Sequence, residues 1–295
     1  MDAILVTGAC GRVGRATVER LVAAGHRVHG VDRVAGSVAG VAVAAVDLCD
    51  RAELGPAVRD IDTVVHLAAI PDPTAGRDAE LFANNVVSGY NVLDALTAAG
   101  VKRLVNLSSE CVYGFGYPRY AIRPQRLPLA EDSPLIPSDP YGLGKVVVET
   151  AIDAAVRANP RLVAVSLRSA WVLGEDEYRC FDTTLTVDVR RTFGLWAYVD
   201  IDDLVDVIEA ACAFETAGHA VLNVCSPENL VGEPLGQLSS ERFGGGVSVV
   251  EPHSWASGIS ARRLESALGY RATRRWQNGV ERSRMTHRQD STDGT

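Results

Sequence analysis

Ser109, Tyr141 and Lys145 are residue types that together can move a proton to or from an alcohol. Tyr141 precedes Lys145 by four residues, a spacing that sets phenol and amine on one helix face, one turn apart. A phenol has a reference pKa of about 10, so service as a base near neutrality requires a drop of roughly several units, each worth about 1.4 kcal/mol. An adjacent ammonium and the positive ring of an oxidised nicotinamide both favour the phenolate, so the spacing predicts that Tyr141 is acidified. Tyr141 then takes a hydroxyl proton as the nicotinamide takes a hydride from the same carbon, or the reverse. Ser109, at the end of a buried strand, is placed to hold the substrate oxygen, and Lys145 also to hold the nicotinamide ribose.

The segment Thr7-Gly8-Ala9-Cys10-Gly11-Arg12-Val13-Gly14 supplies the other half of this chemistry. Between a strand and a helix, these glycines allow a tight turn at Gly8, a close approach to a pyrophosphate at Gly11 and helix-on-strand packing at Gly14. Cys10, Gly11, Arg12 and Val13 lie where the first backbone N–H groups of the helix face the phosphates. Asp32 ends the second strand, 18 residues after Gly14, where a carboxylate accepts from adenosine ribose hydroxyls and repels a 2′-phosphate. That predicts NAD, with NADP as the alternative because Arg33 can pair with a 2′-phosphate. Asp47 and Leu48, at the end of the third strand, either meet the adenine edge or simply turn the chain. Leu67, Ala68 and Ala69 end the fourth strand with side chains that let the backbone touch the coenzyme, and His66 reads as a packed strand residue.

These residues need elements to position them, and the apolar pattern provides them. Strands are predicted at Ile4-Leu5-Val6, Val28 to Val31, Val41 to Val46, Thr63 to Leu67, Leu104 to Leu107 and Leu162 to Leu167. Helices are predicted over Val13 to Ala24, Ala79 to Ala99 and Tyr141 to Ala158. Such alternation implies an α/β fold with a doubly wound parallel sheet of the Rossmann kind. Beyond it come a loop-rich stretch from Ser169 to Gly194, a strand at Trp196 to Val199, a helix capped by Asp202 or Asp203, a strand near Ala220 to Val224 and two short helices. The expected organisation is a dinucleotide-binding domain over 1–168, a small interleaved C-terminal substrate lobe over 169–281 and a polar tail over 282–295.

Composition narrows the classes. With 295 residues, 47% of them apolar, one large domain or two joined ones can form a core. A net charge of -8 without basic runs argues against nucleic-acid partners, and Arg271 to Arg275 reads as a solvated face. No leader or membrane-spanning stretch is visible, which predicts a cytoplasmic protein without a membrane partner. Six cysteines without close pairs suggest neither a metal site nor disulfides.

Together, the glycine loop, Asn85-Val86-Val87, the Ser108 to Gly114 segment, Pro140 to Lys145, Leu167-Arg168 and Tyr198-Val199-Asp200 resemble the extended short-chain dehydrogenase/reductase superfamily, in its NAD-dependent epimerase/dehydratase branch. The resemblance covers nearly the whole chain. It implies Ser109, Tyr141, Lys145 and Glu110 as catalytic residues and adds Asn85 and Leu107 to the coenzyme contacts. Two departures bear on substrate. Trp171 stands three residues after Arg168, where nucleotide-sugar enzymes of this kind usually carry a diphosphate-binding Asn, and the segment from Gly174 to Phe193 is shorter than their usual insertion. Both features resemble the compact uronate and aldose dehydrogenases, which take a free sugar. Glu110-Cys111 replaces the Asp-Glu pair common in the dehydratases, and Cys111 also reads as a small buried residue. Ser109, Glu110, Cys111, Trp171 and Arg179 are thus the expected substrate contacts, with Arg168, Arg190 and Arg191 as further anion candidates.

The leading expectation is a dehydrogenase or reductase of a sugar-like small molecule without a nucleotide. The alternatives are a nucleotide-sugar 4-epimerase or dehydratase that retains NAD, and a dinucleotide sensor without turnover. The resemblance also implies a homodimer through the helices at Ala79 to Ala99 and Tyr141 to Ala158.

Overall fold

Short runs of Val, Ile, Leu and Ala, too brief for helices, become strands wherever flanking Gly, Asp and Asn break the chain. The computed structural model describes residues 2–283 apart from 72, 76, 182 and 184. In chain order its first elements are β1 (Ala3–Thr7), α1 (Arg12–Ala23), β2 (Arg27–Asp32), β3 (Gly36–Val38), β4 (Val41–Ala45), α2 (Arg51–Ala57), β5 (Thr63–His66), α3 (Asp78–Ala99) and β6 (Arg103–Ser109). A single 3-10 turn, Glu110–Tyr113, follows β6. Next come β7 (Arg126–Leu127), α4 (Pro140–Ala158), β8 (Val163–Ser169), β9 (Trp171–Leu173), α5 (Glu175–Arg179), α6 (Val187–Thr192) and β10 (Tyr198–Asp200). The remainder is α7 (Ile201–Cys212), β11 (Gly218–Val224), α8 (Leu235–Phe243), β12 (Ser248–Val249) and α9 (Arg262–Leu268).

The chain divides into two compact units. One comprises residues up to Tyr120 with Pro134–Arg168 and Val205–Leu222; the other comprises Ala121–Ser133, Ser169–Leu204 and the residues from Asn223 onward. The principal sheet has eight strands in the order β11-β8-β6-β5-β1-β2-β4-β3. β1 runs parallel to both β2 and β5, as do β2 to β4 and β5 to β6. Because the chain leaves β1 toward β2 and later returns to β5 on its other side, the loops after β1 and β5 flank a switch point, where α/β sheets hold ligands. One face of the sheet, with Ala3, Leu5, Val64, Leu104 and Ala164, packs with Leu54, Val92, Leu96, Val148 and Ile152 of α2, α3 and α4. Strand alternation puts the equally buried Ile4, Val6, Val65 and Val105 on the opposite face. Gly89 lets α3 approach α4, since a Cβ there would lie 2.7 Å from Val148 Cγ2.

Several expectations are corrected. The sheet is not wholly parallel: β3 and β4 form an antiparallel hairpin, Val38 opposite Val41, turned by Ala39 and Gly40 at φ +48° and +79°. Both turn residues lie in the left-handed region that such tight hairpins need. Helix α2 carries Pro56 in its interior, and Asp50 Oδ1 caps it by accepting from Ala52 N–H at 2.9 Å. The stretch read as loop from Ser169 to Gly194 holds β9, α5 and α6, and β9 runs parallel to β10. Helix α7 begins at Ile201, so Asp202 and Asp203 occupy its first turn, while Asp200 Oδ1 accepts from Asp202 N–H at 2.9 Å. Among the described residues three helical segments follow β11, the last over 276–283. That segment takes in the first two residues of the predicted tail, and the rest of the tail lies outside the described residues. The basic stretch is engaged in ion pairs: Arg271 with Glu265, Arg274 with Asp203 and Arg275 with Glu228.

Candidate active site

The glycine loop has a shape that side chains would forbid. Gly8 has φ +70°, and a Cβ there would lie 2.9 Å from the Ala68 N and Cα; at Gly14 a Cβ would fall 1.9 Å from Gly8 O. Thr7, the last residue of β1, ties this loop to the exit of β5. Its Oγ1 accepts from Leu67 and Ala68 N–H at 3.2 and 3.3 Å and shares a hydrogen bond with His66 Nδ1 at 2.9 Å. From the end of β2, Asp32 Oδ2 accepts from Cys10 N–H at 3.0 Å.

A cavity of about 310 Å³ opens between these segments. Gly8, Cys10, Gly11, Asp32, Arg33, Asp47, Leu48, Leu67, Ala68, Ala69 and Ile70 are among its walls, as are Cys49, Asn84 and Ser88, which sequence reasoning missed. Arg12 and Val13 open α1 and are not part of that lining. Asp47 is also a turn residue, its Oδ1 accepting from Cys49 N–H at 2.9 Å. Asn85, expected as a coenzyme contact, is buried and uses its amide on Ile70, accepting from its N–H at 2.8 Å and donating to its carbonyl at 2.9 Å. Asn91 of α3 donates to the carbonyls of Leu48 and Cys49, each at 3.0 Å. The polar face of α3 thus pins two of the loops that line the cavity.

The residues expected to transfer the proton converge at the carboxyl end of β6. Ser109 is the last residue of that strand, and its Oγ accepts from Cys111 N–H at 3.2 Å. Asp139 caps α4, accepting from Gly142 N–H at 2.8 Å, and Pro140 fits the first turn; Tyr141 is therefore the second residue of a well-started helix. Gly142 allows that helix end to touch the turn after β6, where a Cβ would lie 2.4 Å from Cys111 O. Lys145 Nζ donates to the Leu107 carbonyl at 2.6 Å and lies 5.6 Å from the centroid of the Tyr141 ring.

The electrostatics overturn one expectation. The Tyr141 phenol is raised above its ordinary range, not lowered: burial is the chief cause and Cys111 adds to it, while a side-chain hydrogen bond with Ser109 works the other way. Desolvation outweighs the neighbouring ammonium. Lys145 is itself lowered to about 8 by burial, against the pull of Glu149 and Cys111. Burial and then Lys145 depress His66 to about 3, so its imidazole stays neutral. Burial also pushes the Cys111 thiol well up, and Gly116 packs against its sulfur, which makes Cys111 a structural residue. Glu110 beside it is buried.

Arg168 is not an anion contact. It lies buried on β8 and donates from Nε and Nη2 to the two oxygens of Glu149 at 3.1 and 2.8 Å, and from Nη1 to Tyr113 Oη at 3.0 Å. Ser108 Oγ donates to the same carboxylate at 2.5 Å. Burial opposes the Arg168 charge, but the hydrogen bond and field of Glu149 prevail and keep the guanidinium above its usual range. A separate chain joins Asp153 Oδ1 to His219 Nδ1 at 2.7 Å and His219 Nε2 to Ser166 Oγ at 2.8 Å. Ser166 is completely buried, so no substrate reaches it.

In the second unit, Trp171 packs against Phe193 with ring centroids 4.3 Å apart and planes tilted by 40°. Arg179 is exposed and pairs with Glu175 one turn away at 3.3 Å. Arg190 is buried, its guanidinium 4.1 Å from the Phe181 ring centroid, and Arg191 pairs with Glu233 and Glu241. Among the described residues no group of His, Cys, Asp and Glu is arranged to hold a metal ion, all six cysteines are free thiols and no helix is long and apolar enough to cross a membrane.

Comparison with known proteins matches this arrangement. The sequence model of the NAD dependent epimerase/dehydratase family aligns with residues 4–225. The chain belongs to that family. This epimerase/dehydratase family member is 35% identical over 184 residues to an L-arabinose 1-dehydrogenase (NAD(P)(+)) of Haloferax volcanii, covering 61% of this chain and 70% of the relative. A UDP-glucose 4-epimerase of Yersinia pestis is 26% identical, with 92% of this chain and 93% of the relative covered. A rice (Oryza sativa subsp. japonica) UDP-glucose 4-epimerase 2 is 33% identical, but the chain spans only 43% of its length. Among solved structures, a short-chain dehydrogenase/reductase superfamily protein of Agrobacterium tumefaciens with bound NAD superposes with TM-score 0.78 at 26% identity, covering 99% of this chain and 98% of the other. MoeE5 in complex with UDP-glucuronic acid and NAD gives 0.73 at 25% identity, with 97% and 99% covered.

Proposed function

We propose that the chain oxidises, or in reverse reduces, a hydroxyl-bearing carbon of a sugar-like small molecule that carries no nucleotide, with NAD as coenzyme and NADP as the alternative. The observation that carries the absence of a nucleotide is Trp171. Its indole, packed on Phe193, offers bulk and a single donor at the sequence position where nucleotide-sugar enzymes usually bind a diphosphate. The arabinose 1-dehydrogenase among the relatives supports the same reading, while the UDP-glucose 4-epimerases support the competing one.

The cradle fits a dinucleotide. Gly8 and Gly14 let the loop fold back on backbone at distances a Cβ would forbid, α1 begins at Arg12 directly after that loop and so turns its N-terminus to it, and Asp32 and Arg33 line the cavity that would take the adenosine. When bound, the nicotinamide supplies the acceptor or donor of the hydride. Everything else falls to this chain's residues. Ser109 orients the reacting oxygen, and Tyr141 exchanges its phenolic proton with that oxygen. Its raised pKa makes Tyr141 a proton donor at neutral pH, the state needed for reduction; in oxidation it must first lose that proton, and the Lys145 charge favours the phenolate so formed. Glu110 is assigned to the substrate side, whereas Cys111 is packed against Gly116 and Arg179 is paired with Glu175.

A homodimer through α3 and α4 belongs to the same proposal, supported by the exposure of Tyr90 and Leu143 on those helices. The reaction is tested by incubating the protein with NAD and either free aldoses and uronates or UDP-glucose. NADH accumulating stoichiometrically with a free sugar is the expected outcome; interconversion of UDP-sugars without NADH build-up would assign a 4-epimerase instead.

A further inference from the structure

Glu149 is absent from every motif singled out in the sequence, yet its carboxylate is where α4, β6 and β8 meet. Residues 141, 145 and 149 recur every four positions along α4 and share one face. Each grips a different point: Tyr141 the Ser109 side chain, Lys145 the Leu107 carbonyl at 2.6 Å, and Glu149 both Ser108 at 2.5 Å and Arg168 through two bonds. Consecutive residues 107, 108 and 109 of β6 are thereby held by one helix face. The buried charges on that face and against it include Lys145, Glu149 and Arg168, two cations around one carboxylate; Asp153, the next residue in the row, is exposed and pairs with His219.

We propose that Glu149 is a positioning residue of the proton-transfer group, the shared counter-charge of Lys145 and Arg168, held in place by Ser108. The groups facing Lys145 are Tyr141 and Glu149 from α4, Cys111 from the turn after β6 and His66 from β5, with Arg168 joining from β8 through Glu149. Burial keeps Tyr141 and Cys111 protonated and therefore uncharged, and His66, at about 3, is neutral as well. Burial draws Lys145 down to about 8, and Glu149 is the larger of the two influences opposing that fall. Removing the carboxylate takes away the chief charge that opposes the effect of burial on Lys145, so Lys145 sheds its proton at lower pH. Removing Arg168 instead leaves the whole carboxylate to Lys145, which then holds its proton to higher pH. The two changes have opposite signs, whereas a merely structural role would loosen the site in both cases.

The chain has only two lysines, Lys102 and Lys145, the first exposed and the second buried. Protein made with lysine labelled at the ε carbon therefore gives two NMR signals whose pH titrations report each amine without substrate or turnover. Lys145 is expected to titrate near 8 in the parent protein, about one pH unit lower in Glu149→Gln and higher by a similar amount in Arg168→Gln, with the double variant returning toward the parent. The Lys102 signal serves as the internal reference. Single variants that leave the Lys145 midpoint unchanged, or move it in the same direction, would overturn the proposal. If Glu149→Gln does not fold, Arg168→Gln decides alone: an upward shift supports the proposal, and no shift or a downward one refutes it. The inference rests on reading Tyr141 and Lys145 as the proton-transfer pair. A failure to find any sugar that yields NADH would count against that reading and leave the titration result standing, and the reverse also holds.

Discussion

The proposed nucleotide cradle and the proposed proton-transfer group lie on the same sheet, at the carboxyl ends of its strands, and are built on opposite principles. The cradle depends on side chains that are missing: Gly8 and Gly14 let backbone approach backbone at distances no Cβ permits. The proton-transfer group depends on side chains that are present, buried and mutually compensating, with Lys145, Glu149 and Arg168 drawn from α4 and β8. Damage to the first should appear as lost binding, and damage to the second as lost chemistry or a shifted titration.

That contrast can be broken most decisively at Tyr141. Tyr141→Phe should cut kcat by about a thousandfold, the scale of general acid–base catalysis, while NAD affinity measured by calorimetry changes little; a large loss of affinity would merge the two regions. Gly14→Ala should do the converse, weakening NAD binding by about a hundredfold or more because the Gly8 carbonyl must move. Asp32→Ala removes a carboxylate that both supports the loop and lines the cavity. It should weaken NAD by about tenfold, the scale of one charge-assisted hydrogen bond, and raise the preference for NADP through Arg33 in parallel titrations with the two coenzymes.

The smallest effect is thermodynamic. His66 has a folded pKa of about 3 against an unfolded value near 6.5, so the unfolded chain binds more protons between those limits. Its contribution is fully present above about pH 6.5 and is lost as pH falls, by up to about 1.4 kcal/mol per unit. Urea denaturation of His66→Asn across that window should give a flatter dependence than the parent; parallel slopes would mean that the imidazole is not buried uncharged.

The contrast also explains what could be read in advance. The cradle was legible because its requirement is local: glycines at fixed spacing, then Asp32 at the end of the next strand. The hairpin of β3 and β4 was not, since its turn begins with Ala39 where Asn or Gly would have signalled it, and α2 was hidden by Pro56. Tyr141 and Lys145 were legible as a pair because their partner is one helical turn away. Glu149 and Arg168 were not joined, because their meeting depends on α4 lying beside β8, which no local pattern encodes. The direction of the Tyr141 shift was missed for a related reason: spacing reveals an adjacent amine but not how far water is excluded.

The chain from Asp153 through His219 to Ser166 carries the atoms and separations of a hydrolase's charge relay, yet the serine oxygen lies sealed within β8. A search by template on three side chains would select it, and the resulting assignment would be an esterase without an entrance. Ser166 also accepts from Asn106 Nδ2 at 3.1 Å, so its hydroxyl stitches strands β6, β8 and β11 together through their polar atoms. Reactivity requires admission as well as alignment, and the same three residue types serve here as a fastening.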